Sequence, residues 1–514
     1  MKKLPLILAL FLALPFTVFG LQITKVNYNI QGCGAKIFGV TQDYVLARAV
    51  PVDTKTDFPD EATLNLYLDD YKKKLNNLRA FETIEVTYEI KQNDVTLNVN
   101  VKDSFHLFAI PGPKYDSNTG LIFKLKIKDS NFLGSLNTLN SGIYFMIPTV
   151  ESDADSAEFG FDINFDYPFK MGPFDSTWLN DLDFSYTIGE KMPEWGISTG
   201  LRIEFPISKH ALIFETNQKF NNNFDYEEFG DSLYFVNDFK LSMPLKIAHL
   251  DYSGDVIYTP YLITSISWDF NGISKLNSDL SSPVLTGGHR IALGRTDWES
   301  NLRNGYYFSV DNYYTYNFQR NRFYPVIEGN ARAYKKIDLF PDSFVLRNFG
   351  LCTDIHAFTF MSNPKKNKYI MNDGKAIGHY LRGIRDSQDY IGTFYSSLNP
   401  TSALIINFDI PVHLFSTNFQ KSFLRYFNFD LQLSGFFDMA LCYNKITQTF
   451  FNFKDAFYGT GLEIIVYPLK WSGITVRASV GLDAGRKFFA KKINMDWREN
   501  VSKTEIQLGF GLHY

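Results

Sequence analysis

From about residue 119 to the last residue, the chain repeats one pattern: apolar and polar residues alternate in short segments, and clusters of Asn, Asp, Gly, Ser and Pro separate them. The clearest segment sets Ile197, Thr199, Leu201, Ile203 and Phe205 on one side and Ser198, Gly200, Arg202 and Glu204 on the other. A period of two predicts strands with one apolar face. The pattern places strands near 119–129, 136–147, 156–168, 178–190, 195–205, 208–221, 232–243, 256–271, 303–319, 323–337, 345–361, 401–411, 427–444, 455–467, 472–485 and 504–514. These are sixteen, an even number, as a closed single-chain antiparallel barrel requires. Two connections are long, Gly272 to Leu302 and Ser362 to Pro400. Connections alternate between the two ends of a barrel, so the first falls on the side where turns are short and the second on the opposite side.

Residues 21–103 read differently. A short alternating strand (Val26, Tyr28, Ile30) ends at Gly32, and a helix is predicted from Thr41 to Val50. A second helix runs from about Asp60 to Leu78, with Leu64, Leu68, Tyr71, Leu75 and Leu78 at helical spacing and Lys72, Lys73 and Lys74 mostly on the other face. Two alternating strands, Ile84 to Ile90 and Val95 to Val101, flank a turn at Gln92-Asn93-Asp94. The order is βααββ, in about the size of a small independent domain.

Ahead of that unit, Lys2 and Lys3 precede an apolar run from Leu4 to Phe19, interrupted by Pro5 and Pro15, and Gly20 supplies a small residue. This predicts a signal peptide over residues 1–20, cleaved after Gly20, rather than a membrane anchor. No Cys follows at that point, which argues against a lipid anchor. Beyond it no stretch approaches eighteen apolar residues, so helical membrane spans are not expected. Composition changes the picture in one direction: aromatics make up 17% of the chain, with 49 Phe and 30 Tyr. Aromatic belts and half-apolar strands are what a transmembrane barrel needs. A net charge of −4 with interspersed signs offers no basic patch for nucleic acid. Cys33, Cys352 and Cys442 show no disulfide or metal spacing. His356, His379, His413 and His513 are scattered, and neither G-x-S-x-G nor H-E-x-x-H occurs, so no enzymatic activity and no cofactor is expected.

Several motifs resemble one family. LDDYKKKLNNLRAFETIEVTYEI, Asp129-Ser130-Asn131-Phe132-Leu133-Gly134, HYLRGIRD around Arg382-Gly383-Ile384, NFDIP at Asn407 to Pro411 and GFFDMA at Gly435 to Ala440 occur in that order. Together they resemble the BamA-like and two-partner-secretion outer-membrane transporters, also called bacterial surface antigens. The resemblance covers nearly the whole mature chain. It implies one POTRA domain at 21–103 in the periplasm and a sixteen-stranded barrel at 104–514. Asp129, Asn131 and Gly134 would form the turn at the start of the barrel, and the loop 362–400 would fold into the lumen with Arg382, Gly383 and Ile384 at its tip. In the family that loop joins strands eleven and twelve, where the count above also places it. Ile384 stands where an aromatic is usual, and Ala440 replaces Gly.

Alternation sends Asn407, Asp409, Asp430, Gln432 and Asp438 into the lumen. The resemblance implies that Arg382 pairs with Asp438, with Asp409 as a second neighbour. Many outer-membrane barrels end as this chain does, with Ile506, Leu508, Phe510, Leu512 and Tyr514 alternating with Gln507, Gly509, Gly511 and His513. Gly509, Phe510, Leu512 and Tyr514 are therefore the expected assembly signal, read by edge pairing. The implied function is insertion of proteins into the outer membrane or polypeptide translocation, by strand templating. The implied partners are outer-membrane lipid, unfolded outer-membrane or secreted clients and periplasmic assembly partners. The rival expectation is a passive porin or surface-exposed structural barrel.

Overall fold

A computed structural model describes residues 20–34, 39–116, 120–148, 156–222, 233–250, 254–270, 282–319, 321–361, 375, 377, 380–384, 400–421, 424–443, 452–453, 456–471, 473, 475–485 and 504–510. The expected signal segment, apart from Gly20, lies outside the described residues.

The N-terminal unit is a four-stranded sheet, ordered β2-β1-β4-β3, covered by two helices. Its strands are β1 (Leu21–Gln31), the two-residue β2 (Asp57–Phe58), β3 (Phe81–Lys91) and β4 (Asp94–Asp103). β1 runs parallel to β4. The helices are α1 (Asp43–Ala49) and α2 (Glu61–Asn77). Asp60 caps α2 by accepting the Thr63 N–H at 2.8 Å, as an Asp at that position should. Leu64, Leu68, Tyr71 and Leu75 of α2 pack on Val95, Leu97, Val99 and Val101 of β4, so the helical and strand periodicities meet in one buried core. The order is βαβαββ, since β2 adds a minimal strand to the expected βααββ.

The rest is a closed antiparallel barrel. Its first half comprises β5 (Leu107–Asp116), β6 (Gly120–Asp129), β7 (Leu139–Ile147), β8 (Glu158–Met171), β9 (Phe174–Thr187), β10 (Glu194–Ile207), β11 (His210–Asn222), β12 (Leu233–Ser242) and β13 (Leu245–Leu250). Then follow β14 (Gly254–Trp268), β15 (Val284–Glu299), β16 (Leu302–Asn317), β17 (Arg322–Asp338), β18 (Asn348–Phe360), β19 (Ser402–Ser416), β20 (Phe429–Cys442), β21 (Phe457–Pro468), β22 (Val476–Asp483) and β23 (Thr504–Phe510). β12 and β13 both pair with β14 and form one strand broken at Met243-Pro244. The described residues therefore give eighteen barrel strands, with β23 beside β5 at the closure.

The expected sixteen was two short, and each omission has a physical reason. β5 contains Pro111-Gly112-Pro113, residues that weaken strands and normally mark turns. In β15 the pair Gly287-Gly288 and Gly294 interrupt the alternation that identifies a strand. β15 also resolves the long connection from Gly272 to Leu302, because only Ser300-Asn301 separate β15 from β16. The loop 362–400 consequently joins the thirteenth and fourteenth strands, not the eleventh and twelfth.

Outward positions are apolar and exposed, among them Phe123, Ile143, Ile197, Phe239, Leu262 and Ile464. A barrel with such a belt is a transmembrane barrel. Among the described residues no helix is long and apolar enough to cross a membrane.

Candidate functional site

β19 and β20 lie side by side, with Asn407 opposite Asp438 and Asp409 opposite Phe436. Alternation turns all four of these side chains to the same, inner face of the wall. Each is at most 5% exposed.

Arg382 comes to this wall from the loop 362–400. Its Nε and Nη2 donate to the two carboxylate oxygens of Asp438 at 2.9 and 2.8 Å. Nη1 and Nη2 donate to those of Asp409 at 2.8 and 3.0 Å. The Arg382 backbone N–H adds a third bond to Asp438, at 2.8 Å. The guanidinium carbon also lies 4.1 Å from the centroid of the Phe436 ring. One planar fork thus grips two carboxylates bidentately and stacks on an aromatic face, geometry that an ammonium cannot reproduce. Arg382 is 1% exposed.

Backbone contacts seat the same tip. Gly383 has φ +81°, and a Cβ there would meet the Leu482 backbone nitrogen at 2.8 Å. Only glycine combines that conformation with so close an approach to β22. The Gly383 N–H donates to Glu505 of β23 at 2.7 Å, and Asn407 donates to the Tyr380 carbonyl at 2.7 Å. Ile377, Leu381 and Ile384 are buried against Val326, Phe358, Ile405, Ala440 and Phe457. Both departures from the family motif, Ile384 and Ala440, therefore sit in one small apolar cluster beside the ion triad.

Asp129, Asn131 and Gly134 lie at the join between the two parts of the chain. Asn131 donates to the Thr41 hydroxyl at 2.8 Å, and its carbonyl accepts the Leu136 N–H at 2.8 Å. Thr41 in turn donates through its N–H and hydroxyl to Asp103, at 2.9 and 2.7 Å. Burial pushes the Asp103 carboxyl up, and the Thr41 hydrogen bonds pull it partly back. Asp129 bonds His106 Nδ1 at 2.5 Å. Gly134 presses on Val40, where a Cβ would fall 1.9 Å from the carbonyl oxygen. The turn is thus a hinge block holding α1 against the barrel.

Sequence reasoning did not bring out the breadth of that contact. Arg48 of α1 pairs with Glu204 at 2.7 Å, and Tyr44 donates to the Pro168 carbonyl at 2.6 Å. On another arc of the same rim, Asp70 pairs with Arg295 at 2.7 Å, Asn77 exchanges hydrogen bonds with Asp297 and Trp298, and Glu82 pairs with Lys470. Arg79 lies between two rings, 4.3 Å from Trp298 and 5.5 Å from Tyr467. Phe436 and Glu505 were also missed. The parity of Asp438 and of the last strand would have pointed both inward, but nothing local announces their partner.

Gly509 and Phe510 belong to β23, opposite Arg477 and Val476 of β22. Leu512 and Tyr514 lie outside the described residues. The three cysteines are free.

No family model and no curated protein matches the chain. Among solved structures it is similar to CdiB from Acinetobacter baumannii, 14% identical over 90% of this chain and 70% of that one, with a TM-score of 0.44. It is also similar to CdiB from Escherichia coli, 9% identical over 96% and 76%, TM-score 0.48. A third is BamA from Haemophilus ducreyi lacking POTRA domains 1-3, 14% identical over 95% and 83%, TM-score 0.35. With each TM-score below 0.5, these likenesses carry no argument of their own beside the strand pairing and the site geometry.

Proposed function

We infer that this chain is an outer-membrane factor that inserts polypeptides into the membrane or moves them across it, and that it works by offering strand edges to a client rather than by catalysis. The observation that carries this reading is the Arg382 tip, locked inside the lumen by Asp409 and Asp438. A diffusion pore gains nothing from a buried ion triad that narrows its own passage, and burying those charges is costly. A barrel whose wall must yield in a controlled way does gain from an internal brace. The brace bears on β19, β20 and β22 and reaches β23 through Glu505, next to the closure with β5.

That closure has a donor-poor side: Pro111 and Pro113 deprive β5 of two N–H donors. Exposed or weakly paired edges template strand addition. The N-terminal unit, read as a POTRA-like periplasmic domain, offers a second edge at β3, the outer strand of its sheet.

Depletion of the protein followed by a census of outer-membrane and secreted proteins tests the reading. The expected result is selective loss of one or more client polypeptides at unchanged small-solute permeability. An unchanged census with reduced uptake of small solutes would make the barrel a porin.

A further inference from the structure

A second polar site lies on the lumen wall and shares Arg303 with the space beside the loop tip. Inward positions of β15, β16 and β17 surround a cavity of about 270 Å3. Its space comes from missing bulk: Ala292 and Gly294 lie opposite Ser309 and Tyr307, and Gly305 lies opposite Thr296. Arg290, Arg303 and Arg332 line the cavity with Tyr307, Tyr334 and Asn330, and among the described residues no Asp or Glu lines it.

Each arginine is oriented by a neighbour. Arg290 donates to the Tyr307 hydroxyl at 2.5 Å, Arg303 donates to the Tyr334 hydroxyl at 3.0 Å and lies 4.1 Å over its ring, and Arg332 Nε donates to Asp354 at 3.0 Å. A guanidinium carries five N–H donors. Among the described residues Arg290 and Arg332 use one each in side-chain hydrogen bonds. Of the carboxylates nearest this wall, one sits on an arginine of the recess and two have other partners. Asp354 holds Arg332 from β18, outside the cavity lining. Asp311 accepts the Tyr261 hydroxyl at 2.7 Å and forms no ion pair with Arg290 among the described residues. Glu328 pairs with Lys375 and lies 3.5 Å from His356.

Arg290 and Arg332, on the strands that flank β16, stand four residues apart in register, Arg303 stands four residues further along, and Asp354 offsets one of the three charges. A planar carboxylate is satisfied by one guanidinium fork, whereas a tetrahedral dianion presents oxygens in several directions at once. We propose that this recess binds a soluble phosphate-type dianion, a phosphate monoester or a diphosphate group, that reaches it through the lumen.

The test is equilibrium dialysis of the purified full chain in neutral detergent at low salt, with radiolabelled inorganic phosphate and pyrophosphate as probes. One saturable site per chain is expected, weakened roughly tenfold or more by Arg290→Gln. Ala292→Phe, which fills the recess without changing charge, abolishes it. Arg202→Gln, a lumen arginine outside the recess, leaves it unchanged. No saturable binding, or binding that survives both Arg290→Gln and Ala292→Phe, overturns the proposal. Should Arg290→Gln fail to give a heat-modifiable barrel, Ala292→Phe decides alone. The source of the anion is settled in phosphatidylcholine vesicles with and without phosphatidic acid. Unchanged phosphate binding supports a soluble ligand, and its displacement by phosphatidic acid overturns that and assigns a lipid headgroup.

Discussion

The Arg382 guanidinium is the residue on which the site depends. An aqueous lumen would screen its ion pairs, and from the sequence a reduced effect of Arg382→Ala is expected. The geometry reverses that expectation, because the side chains of Arg382, Asp409 and Asp438 are 1%, 7% and 0% exposed. Arg382→Ala leaves two buried carboxylates facing each other without a cation, a loss near the full 3–5 kcal/mol, by order of magnitude about that of a broken buried pair. The midpoint of heat modifiability on gels measures it. Adding Asp438→Asn to Arg382→Ala should return part of the loss, since it removes one of the stranded charges. In the charge swap, Arg382→Asp with Asp438→Arg, recovery is again partial: Asp409 repels the new loop carboxylate and attracts the new arginine. A double mutant that only sums its single mutants would dismiss the coupling. Gly383→Ala tests the backbone half of the lock. A left-handed, crowded alanine should cost about 1–3 kcal/mol and detach the tip while leaving the strands paired, which protease access to the loop reports.

Between elements, the question is how α1 and α2 hold the N-terminal unit across the mouth of the barrel. Arg79→Ala removes a guanidinium lying between Trp298 and Tyr467 and should weaken docking by about 2 kcal/mol, read as a broadened spin-label distance between Lys73 and Asn418. Docking should also respond to acid. Burial raises the Asp70 carboxyl, but Arg295 and Lys74 outweigh it and hold it below its ordinary 3.8. A depressed carboxyl contributes docking stability that is present above pH 3.8 and is lost as the pH falls through the folded value. Asp70→Asn should remove that step from the acid titration of the same distance, and an unaltered titration would assign it to other groups. Strand orientation has its own test in β10. Cysteines at Leu201 and Ile203 should react with a lipid-soluble probe, and one at Arg202 with a water-soluble probe. A cysteine at Glu204 is a poorer aqueous target, because Arg48 of α1 covers that position. Equal labelling of both faces would contradict the barrel orientation.

For the molecule as a whole, we propose that assembly rests on the last strand. Alternation assigns Phe510 to the lipid side, so Phe510→Arg should impair assembly, and deletion of Tyr514 should remove the terminal edge signal. Normal yields of heat-modifiable barrel from both variants would reject that role. Much of this architecture is legible in the chain because alternation is local: each strand states which of its faces meets lipid. That is why the barrel class, the helices of the N-terminal unit and the inward parity of Asp409 and Asp438 follow from the sequence alone. Strand number did not follow, since Pro111-Gly112-Pro113 and Gly287-Gly288 erase the period in β5 and β15 while neighbouring strands still supply the pairing. The bidentate grip of both Asp409 and Asp438 on Arg382, the stacking of Arg79 on Trp298 and the arginine recess were decided by tertiary structure. Each joins residues far apart in the chain or on separate strands, and a contact made by closure of the barrel leaves no periodic trace in the segments it joins.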